Sequence, residues 1–235
     1  MLELADKVPD LKDLNKEFLD EVDRAIGSSQ MFVHPFITSL SKDPDVLSQW
    51  RAYADNGRGF AVGFSGKLLK ALPVTILEVE YDREKQIEEA TNALGVIYMQ
   101  YLDADRTFGQ NCKLSSRLMA ANLFSFKNPG FAEEKEVRCI HLADVEIASD
   151  HMRLIDAGGT TDGKPFPGVE VQFRVRDGGI VPFLDIPFPQ RSVSSAIPEI
   201  YMGPSNDNGP GNVLYLMGSC GFRNVKLKAS ATTYR

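Results

Sequence analysis

Two segments of the sequence carry side chains that could do chemistry. The first, from Phe36 to Phe64, holds the only tryptophan, Trp50, then Tyr53, and Arg58 between two glycines. Aromatic rings can stack on a ligand ring, a guanidinium binds phosphate as a planar fork, and glycines let a backbone approach a ligand closely. This combination is typical of a nucleotide site, although aromatic residues at helical spacing more often belong to a core.

The second segment is a run of carboxylates, Glu133, Glu134 and Glu136, at the start of a predicted strand. On a strand Glu134 and Glu136 would face the same side, and two like charges close together prepare an acid/base pair. A solvated strand end is the commoner explanation of such a cluster. Arg138 would share the same face and could neutralise the pair.

Other catalytic signatures are missing from the sequence. It contains no phosphate-binding loop with its lysine, no dinucleotide fingerprint and no elbow around a nucleophilic serine. The three histidines, His34, His141 and His151, have no partner at metal-ligand spacing, so no metal site is predicted. Three cysteines without motif spacing argue against a disulfide framework and fit a reducing compartment.

Charge and hydropathy restrict the class of protein. Lysine and arginine total 26 against 32 aspartates and glutamates, so the net charge of 26 − 32 = −6 gives no global basic field for nucleic acid. A local basic groove is compatible with this balance. No apolar run approaches the ~18 residues of a membrane span, and the first residues lack the pattern of a signal peptide. We therefore expect a cytoplasmic protein without a membrane partner.

The elements that would position these residues can be predicted from periodicity and turn signals. An amphipathic helix is expected at 11–26, and Asp43-Pro44 opens a short helix that ends near Ala54. The strands expected in the central core are 32–40, 60–64, 74–81 and 136–142.

A long helical insertion, about 82–126, should pack on this core. A loop is expected at 157–168, followed by further strands at 169–176, 180–186, 197–202 and 225–229 and a helix at 209–220. Because helices and strands do not alternate regularly, the predicted fold class is α+β with a mixed central sheet. No repeat or low-complexity linker divides the chain, so we expect a single domain over residues 1–235.

Three blocks together resemble a known family. The Phe36–Phe64 stretch joins a strand, a Leu-Ser-Gln-Trp-Arg-Ala-Tyr helix and a Gly-Arg-Gly turn. The second block contains Lys127, Phe131, Glu134, Glu136 and Arg138, and the closing blocks begin at Ile197 and Val225. Over roughly residues 32–235 the chain resembles the bacterial domain of unknown function 2971 family.

The layout of that family resembles ADP-ribosyltransferases of the toxin type, which implies NAD as the substrate. By this resemblance Thr38, Ser39, Trp50 and Tyr53 surround the cofactor and Arg58 contacts its phosphates. Glu136, deeper in the apolar run, would stabilise the oxocarbenium-like transition state, and Glu134 would orient the acceptor. A nucleic-acid or protein target is implied, together with an antitoxin or regulatory partner in a toxin–antitoxin or phage defence system.

The sequence departs from the family pattern at its beginning. Family members usually start with a His-Tyr-Thr-like strand and an Asn-Asp-Pro-like loop, and the first ten residues here contain no His, Arg or Tyr. The resemblance is therefore also compatible with a truncated, inactive relative.

Two alternatives belong to other classes of function. A metal-dependent nuclease could use Glu133-Glu134-Lys135 with Asp43 or Asp45, because hard cations prefer carboxylates. A non-enzymatic binding or regulatory module would need no reacting group at all, and the missing first block favours it.

Overall fold

The computed structural model describes residues 16–29, 31–161 and 164–233 and has the predicted α+β fold. Its α-helices are α1 (Lys16–Ser29), α2 (Leu47–Tyr53), α3 (Gly66–Leu69), α4 (Arg83–Asp103), α5 (Gln110–Asn122) and α6 (Pro210–Ser219). Its strands are β1 (Val33–Ser41), β2 (Phe60–Gly63), β3 (Thr75–Glu78), β4 (Glu136–Ile147), β5 (Met152–Ile155), β6 (Gly159–Thr161), β7 (Lys164–Phe166), β8 (Gln172–Arg176), β9 (Gly179–Phe183), β10 (Glu199–Met202) and β11 (Lys226–Ala229). Short 3₁₀ helices lie at Leu123–Ser125, Pro129–Glu134 and Gln190–Ser195.

The strands form two sheets and two separate hairpins. One sheet has the order β1-β4-β3, with β5 paired to β4, and the other has the order β11-β10-β2. In the second sheet β10 runs parallel to β11 and antiparallel to β2. The strand predicted at 60–64 is present as β2, and it pairs with β10. The predicted loop at 157–168 is wrong, since this segment contains the paired strands β6 and β7.

The chain forms two compact units. Among the described residues, the first unit contains those up to Pro35, those in Leu77–Ala132 and those in Leu142–Ile155. The second unit contains the described residues of Phe36–Ile76, of Glu133–His141 and from Asp156 onward. The single domain expected over residues 1–235 stays a prediction. In the described parts of the chain, no helix combines the length and the apolar character that a membrane crossing requires.

The first unit has a helical core. Helix α1 buries Phe18, Leu19, Val22 and Ala25, which recur at the spacing of three and four that defines an amphipathic face. The Phe18 ring meets the rings of two tyrosines on α4, Tyr98 at 5.2 Å and Tyr101 at 5.0 Å between centroids. The predicted start of this helix, 11–15, lies outside the described residues.

The helices predicted within 82–126 are present as α4 and α5. Asp82 caps α4, because its carboxylate accepts hydrogen bonds from the backbone N–H groups of Glu84 and Lys85. Buried residues from both helices join α1 in one apolar cluster, which includes Leu94, Ile97, Cys112 and Met119.

Candidate functional site

The main candidate site is a groove of about 480 Å³ in the second unit. Its walls come from the end of β1, the segment before α2, one face of α2, and β2. Side chains that reach it include Ser39, Ser41, Gln49, Tyr53, Phe60 and Glu199. A concave site of this size with a few polar groups among apolar ones is what a small-molecule ligand requires.

Below the groove, Glu136 lies at the start of β4 and is only 5% exposed. The hydroxyl of Ser39 donates a hydrogen bond of 2.5 Å to Glu136 Oε1. Arg138 donates to the same carboxylate through Nε, 2.8 Å from Oε1, and through Nη2, 3.1 Å from Oε2. Two of these three hydrogen bonds come from the Arg138 guanidinium, and charged donors form stronger hydrogen bonds to a carboxylate than neutral ones.

The relation of Glu136 to the groove follows from these contacts. Ser39 lines the groove, whereas Glu136 and Arg138 do not. The side chains of Glu136 and Arg138 are 6% and 16% exposed. The hydrogen bond from Ser39 therefore connects this carboxylate to the groove.

Glu134 lies on a different element from Glu136. It ends the 3₁₀ helix Pro129–Glu134, and Lys135 between the two glutamates has a left-handed φ of 45°. The expectation that both glutamates share one face of a strand is therefore wrong, because β4 begins only at Glu136. The exposed Tyr53 donates its hydroxyl to Glu134 Oε1 at 3.2 Å.

Two groove residues hold the backbone of this turn. The Glu134 carbonyl accepts hydrogen bonds from the Ser41 hydroxyl at 2.8 Å and from Gln49 Nε2 at 3.1 Å. These contacts tie the turn that precedes β4 to β1 and α2. The carboxylates of Glu134 and Glu136 each accept a hydrogen bond from a residue that lines the groove. The donor to Glu134 is Tyr53, and the donor to Glu136 is Ser39.

Trp50 is a buried residue of α2 with a structural contact. It is 2% exposed, and its indole Nε1 donates to Asp45 Oδ1 at 2.7 Å. Asp45 also accepts hydrogen bonds from the Ser230 hydroxyl and the Ala231 N–H. Burial alone would raise the pKa of Asp45, but these donors outweigh it and lower the pKa below its usual value. Trp50 therefore borders the groove and, through Asp45, helps to hold the segment after β11.

The Gly-Arg-Gly turn has a packing role in this structure. Asn206 Nδ2 donates to the carbonyls of Arg58 at 2.6 Å and Gly59 at 3.0 Å. Gly57 adopts φ 84°, and a Cβ on Gly203 would lie 2.2 Å from the Gly57 carbonyl oxygen. The Arg58 side chain is exposed and, like Thr38 on β1, does not line the groove.

The carboxylates of the nuclease alternative have other partners. Asp43 accepts a hydrogen bond of 2.9 Å from the Lys135 ammonium, and this contact lowers the pKa of Asp43. Asp45 is held as described above. Within the ranges that the structure describes, no three His, Cys, Asp or Glu side chains form a group that could hold a metal ion.

A family comparison covers the middle of this site. Residues 49–139 match the family model described as Protein of unknown function (DUF2971). The match supports the resemblance to this family and includes Trp50, Tyr53, Arg58, Glu134 and Glu136. No curated protein and no solved structure matches the chain.

Two polar groups of the second unit were missed in the sequence. Glu199 on β10 lines the groove, and its position in the closing block that begins at Ile197 was the only sequence signal for it. His141 is buried between the Pro73 carbonyl, 2.6 Å from Nδ1, and Asp156 Oδ1, 2.9 Å from Nε2. No spacing pattern in the sequence could reveal the contact between His141 and Asp156, because the two residues come from separate segments of the chain.

Proposed function

We propose that the groove of the second unit binds NAD and that this protein is an ADP-ribosyltransferase-like enzyme. The observation that carries the proposal is the hydrogen bond from Ser39, which lines the groove, to the buried carboxylate of Glu136. These residues are 97 positions apart in the sequence and belong to the two segments whose side chains suggested this chemistry.

The proposed chemistry is cleavage of the bond between C1′ of the ribose and the nicotinamide nitrogen. The nicotinamide leaves with the bonding electron pair and becomes neutral, while positive charge develops on the ribose as an oxocarbenium-like state. A ribose hydroxyl would donate to Ser39 Oγ, whose own hydrogen is donated to Glu136. Hydrogen bonds in such a chain polarise one another, so the negative charge of Glu136 would stabilise the transition state through Ser39.

Glu134 and Tyr53 are proposed to act on the acceptor. The attacking group of a protein or nucleic acid, or water in simple hydrolysis, forms the new bond to C1′ and loses a proton. A half-buried carboxylate at the groove margin, oriented by the Tyr53 hydroxyl, could accept that proton. The exposed ring of Tyr53 would provide a contact surface for the acceptor.

Release of nicotinamide from NAD tests this proposal. We expect Glu136→Gln and Ser39→Ala each to lower the rate about 100-fold, the loss seen when one preorganised polar group is removed. Glu133→Gln is the matched control, because Glu133 is an exposed glutamate of the 3₁₀ helix Pro129–Glu134 that precedes β4. Equal rates in Glu136→Gln and Glu133→Gln would contradict the assignment. No release by the wild-type chain would contradict the enzyme proposal.

A second candidate function is a non-enzymatic binding module. The burial of the Glu136–Arg138 ion pair favours this candidate, because buried ion pairs often have a structural role and not a catalytic one. In that case the groove would bind a ligand or a regulatory protein such as an antitoxin without turnover. Binding of NAD without nicotinamide release would favour this candidate.

A further inference from the structure

Glu199 presents a carboxylate to the groove at a place distinct from Ser39. It lies on β10 opposite Gly63 of β2, and a Cβ on Gly63 would approach the Glu199 Cγ to 2.8 Å. The Glu199 side chain therefore passes over Gly63, which has no side chain, and reaches the groove. It is 32% exposed, so a ligand can contact it.

The partners of Glu199 lie away from the groove. Lys228 on β11 donates to Glu199 Oε2 at 2.6 Å and to the Tyr201 hydroxyl at 2.9 Å, and its ammonium lies 4.9 Å from the Tyr201 ring centroid. These contacts raise the pKa of Lys228 to about 12, with the Glu199 hydrogen bond as the largest cause. Neither Lys228 nor Tyr201 lines the groove. Of these three residues, only Glu199 presents its charge to a ligand in the groove.

One oxygen of this carboxylate is open. Among the described residues, Oε1 of Glu199 has no hydrogen-bond donor, whereas Oε2 is held by Lys228. A fixed carboxylate with an open oxygen accepts hydrogen bonds from the hydroxyls of a ribose and repels a phosphate at the same position.

From these contacts we infer that Glu199 binds the adenosine ribose of NAD through its hydroxyls and excludes NADP, which carries a phosphate on the 2′ position. This inference rests on the proposed function. It goes further by naming the class of dinucleotide and the residue that selects it. Lys228 acts as a positioning residue, because it fixes the glutamate by an ion pair on the side away from the ligand.

Titration calorimetry with NAD and NADP tests the inference on the full chain. We expect the wild-type protein to bind NAD at least about tenfold more tightly than NADP, which corresponds to one charge-assisted hydrogen bond. Glu199→Gln should still bind NAD, but the preference over NADP should fall to about twofold. Glu146→Gln is the control, since Glu146 is paired with Arg153 in the first unit.

The outcomes separate the two proposals. Equal affinities for NAD and NADP in the wild type, or an unchanged preference in Glu199→Gln, would overturn the role of Glu199 and leave the NAD site in place. Absence of binding of either dinucleotide to the wild-type protein would overturn the proposed function and this inference together. A circular dichroism spectrum identical to wild type will show that Glu199→Gln is folded.

Discussion

At the scale of single residues, the carboxylates of this site differ in their surroundings. Glu136 is buried and receives donors from Ser39 and Arg138, whereas Glu134 is half-buried and receives the Tyr53 hydroxyl. The spacing Glu-x-Arg on β4 lets Glu136 and Arg138 pair on one face, as the alternation of a strand allows. The sequence therefore suggested this ion pair correctly, but it did not reveal that Ser39 connects the pair to the groove.

The buried Asp156 should govern part of the stability at acid pH. Burial alone would raise its pKa, but hydrogen bonds from the Val169 N–H, His141 and the Gly158 N–H together lower the pKa below its usual value. A carboxyl whose pKa is depressed in the folded state stabilises the fold above its unfolded pKa of about 3.9. That stabilisation is lost as the pH falls through the lower folded value.

We therefore expect Asp156→Ala to lower the free energy of unfolding at pH 7 by about 3 kcal/mol, as when one partner of a buried pair is removed. The variant should also lose less stability than the wild type between about pH 4 and pH 2. Urea unfolding over this range measures both effects, with the exposed Asp150→Ala as control. Parallel curves for Asp156→Ala and the wild type would contradict the assignment.

At the scale of elements, local patterns predicted most helices and strands but not their pairing. The turn signals predicted the boundaries of β1, α2 and β2 to within one or two residues. The partner of β2 is β10, more than 130 residues later, and no local pattern contains that information. The segment 157–168 was expected to be a loop because of its glycines. Yet Gly158 and Gly168 allow close approaches of the backbone beside the β6–β7 hairpin.

The contact between the turn at Gly57 and the end of β10 gives a testable prediction. A Cβ on Gly203 would lie 2.2 Å from a backbone oxygen, so Gly203→Ala must displace the chain and should cost about 1–3 kcal/mol of unfolding free energy. Gly95→Ala is the matched control, since nothing lies within 4 Å of its added Cβ in α4. The control should gain about 0.5–1 kcal/mol. Thermal denaturation measures both, and a neutral Gly203→Ala would show that the turn tolerates a side chain.

At the scale of the whole molecule, net charge and the extent of the family match both bear on the proposed site. With a net charge of −6, the chain has no general field that attracts phosphates, so an anionic dinucleotide has to be bound by local contacts in the groove. The family match covers residues 49–139. This range includes Glu134 and Glu136 but neither Ser39 nor Glu199. The proposed site therefore combines residues inside and outside the range that matches the family model, and only the tertiary structure brings them together.

The most direct measurement is a crystal structure of the full chain with a non-hydrolysable carbocyclic analogue of NAD. We expect the analogue to bind in the groove of the second unit. A hydroxyl of the ring that replaces the nicotinamide ribose should lie about 2.5–3.0 Å from Ser39 Oγ, a normal hydrogen-bond distance, with the bond from Ser39 to Glu136 retained. An analogue bound outside this groove, or bound in it with no hydroxyl within hydrogen-bond distance of Ser39, would contradict the proposed NAD site.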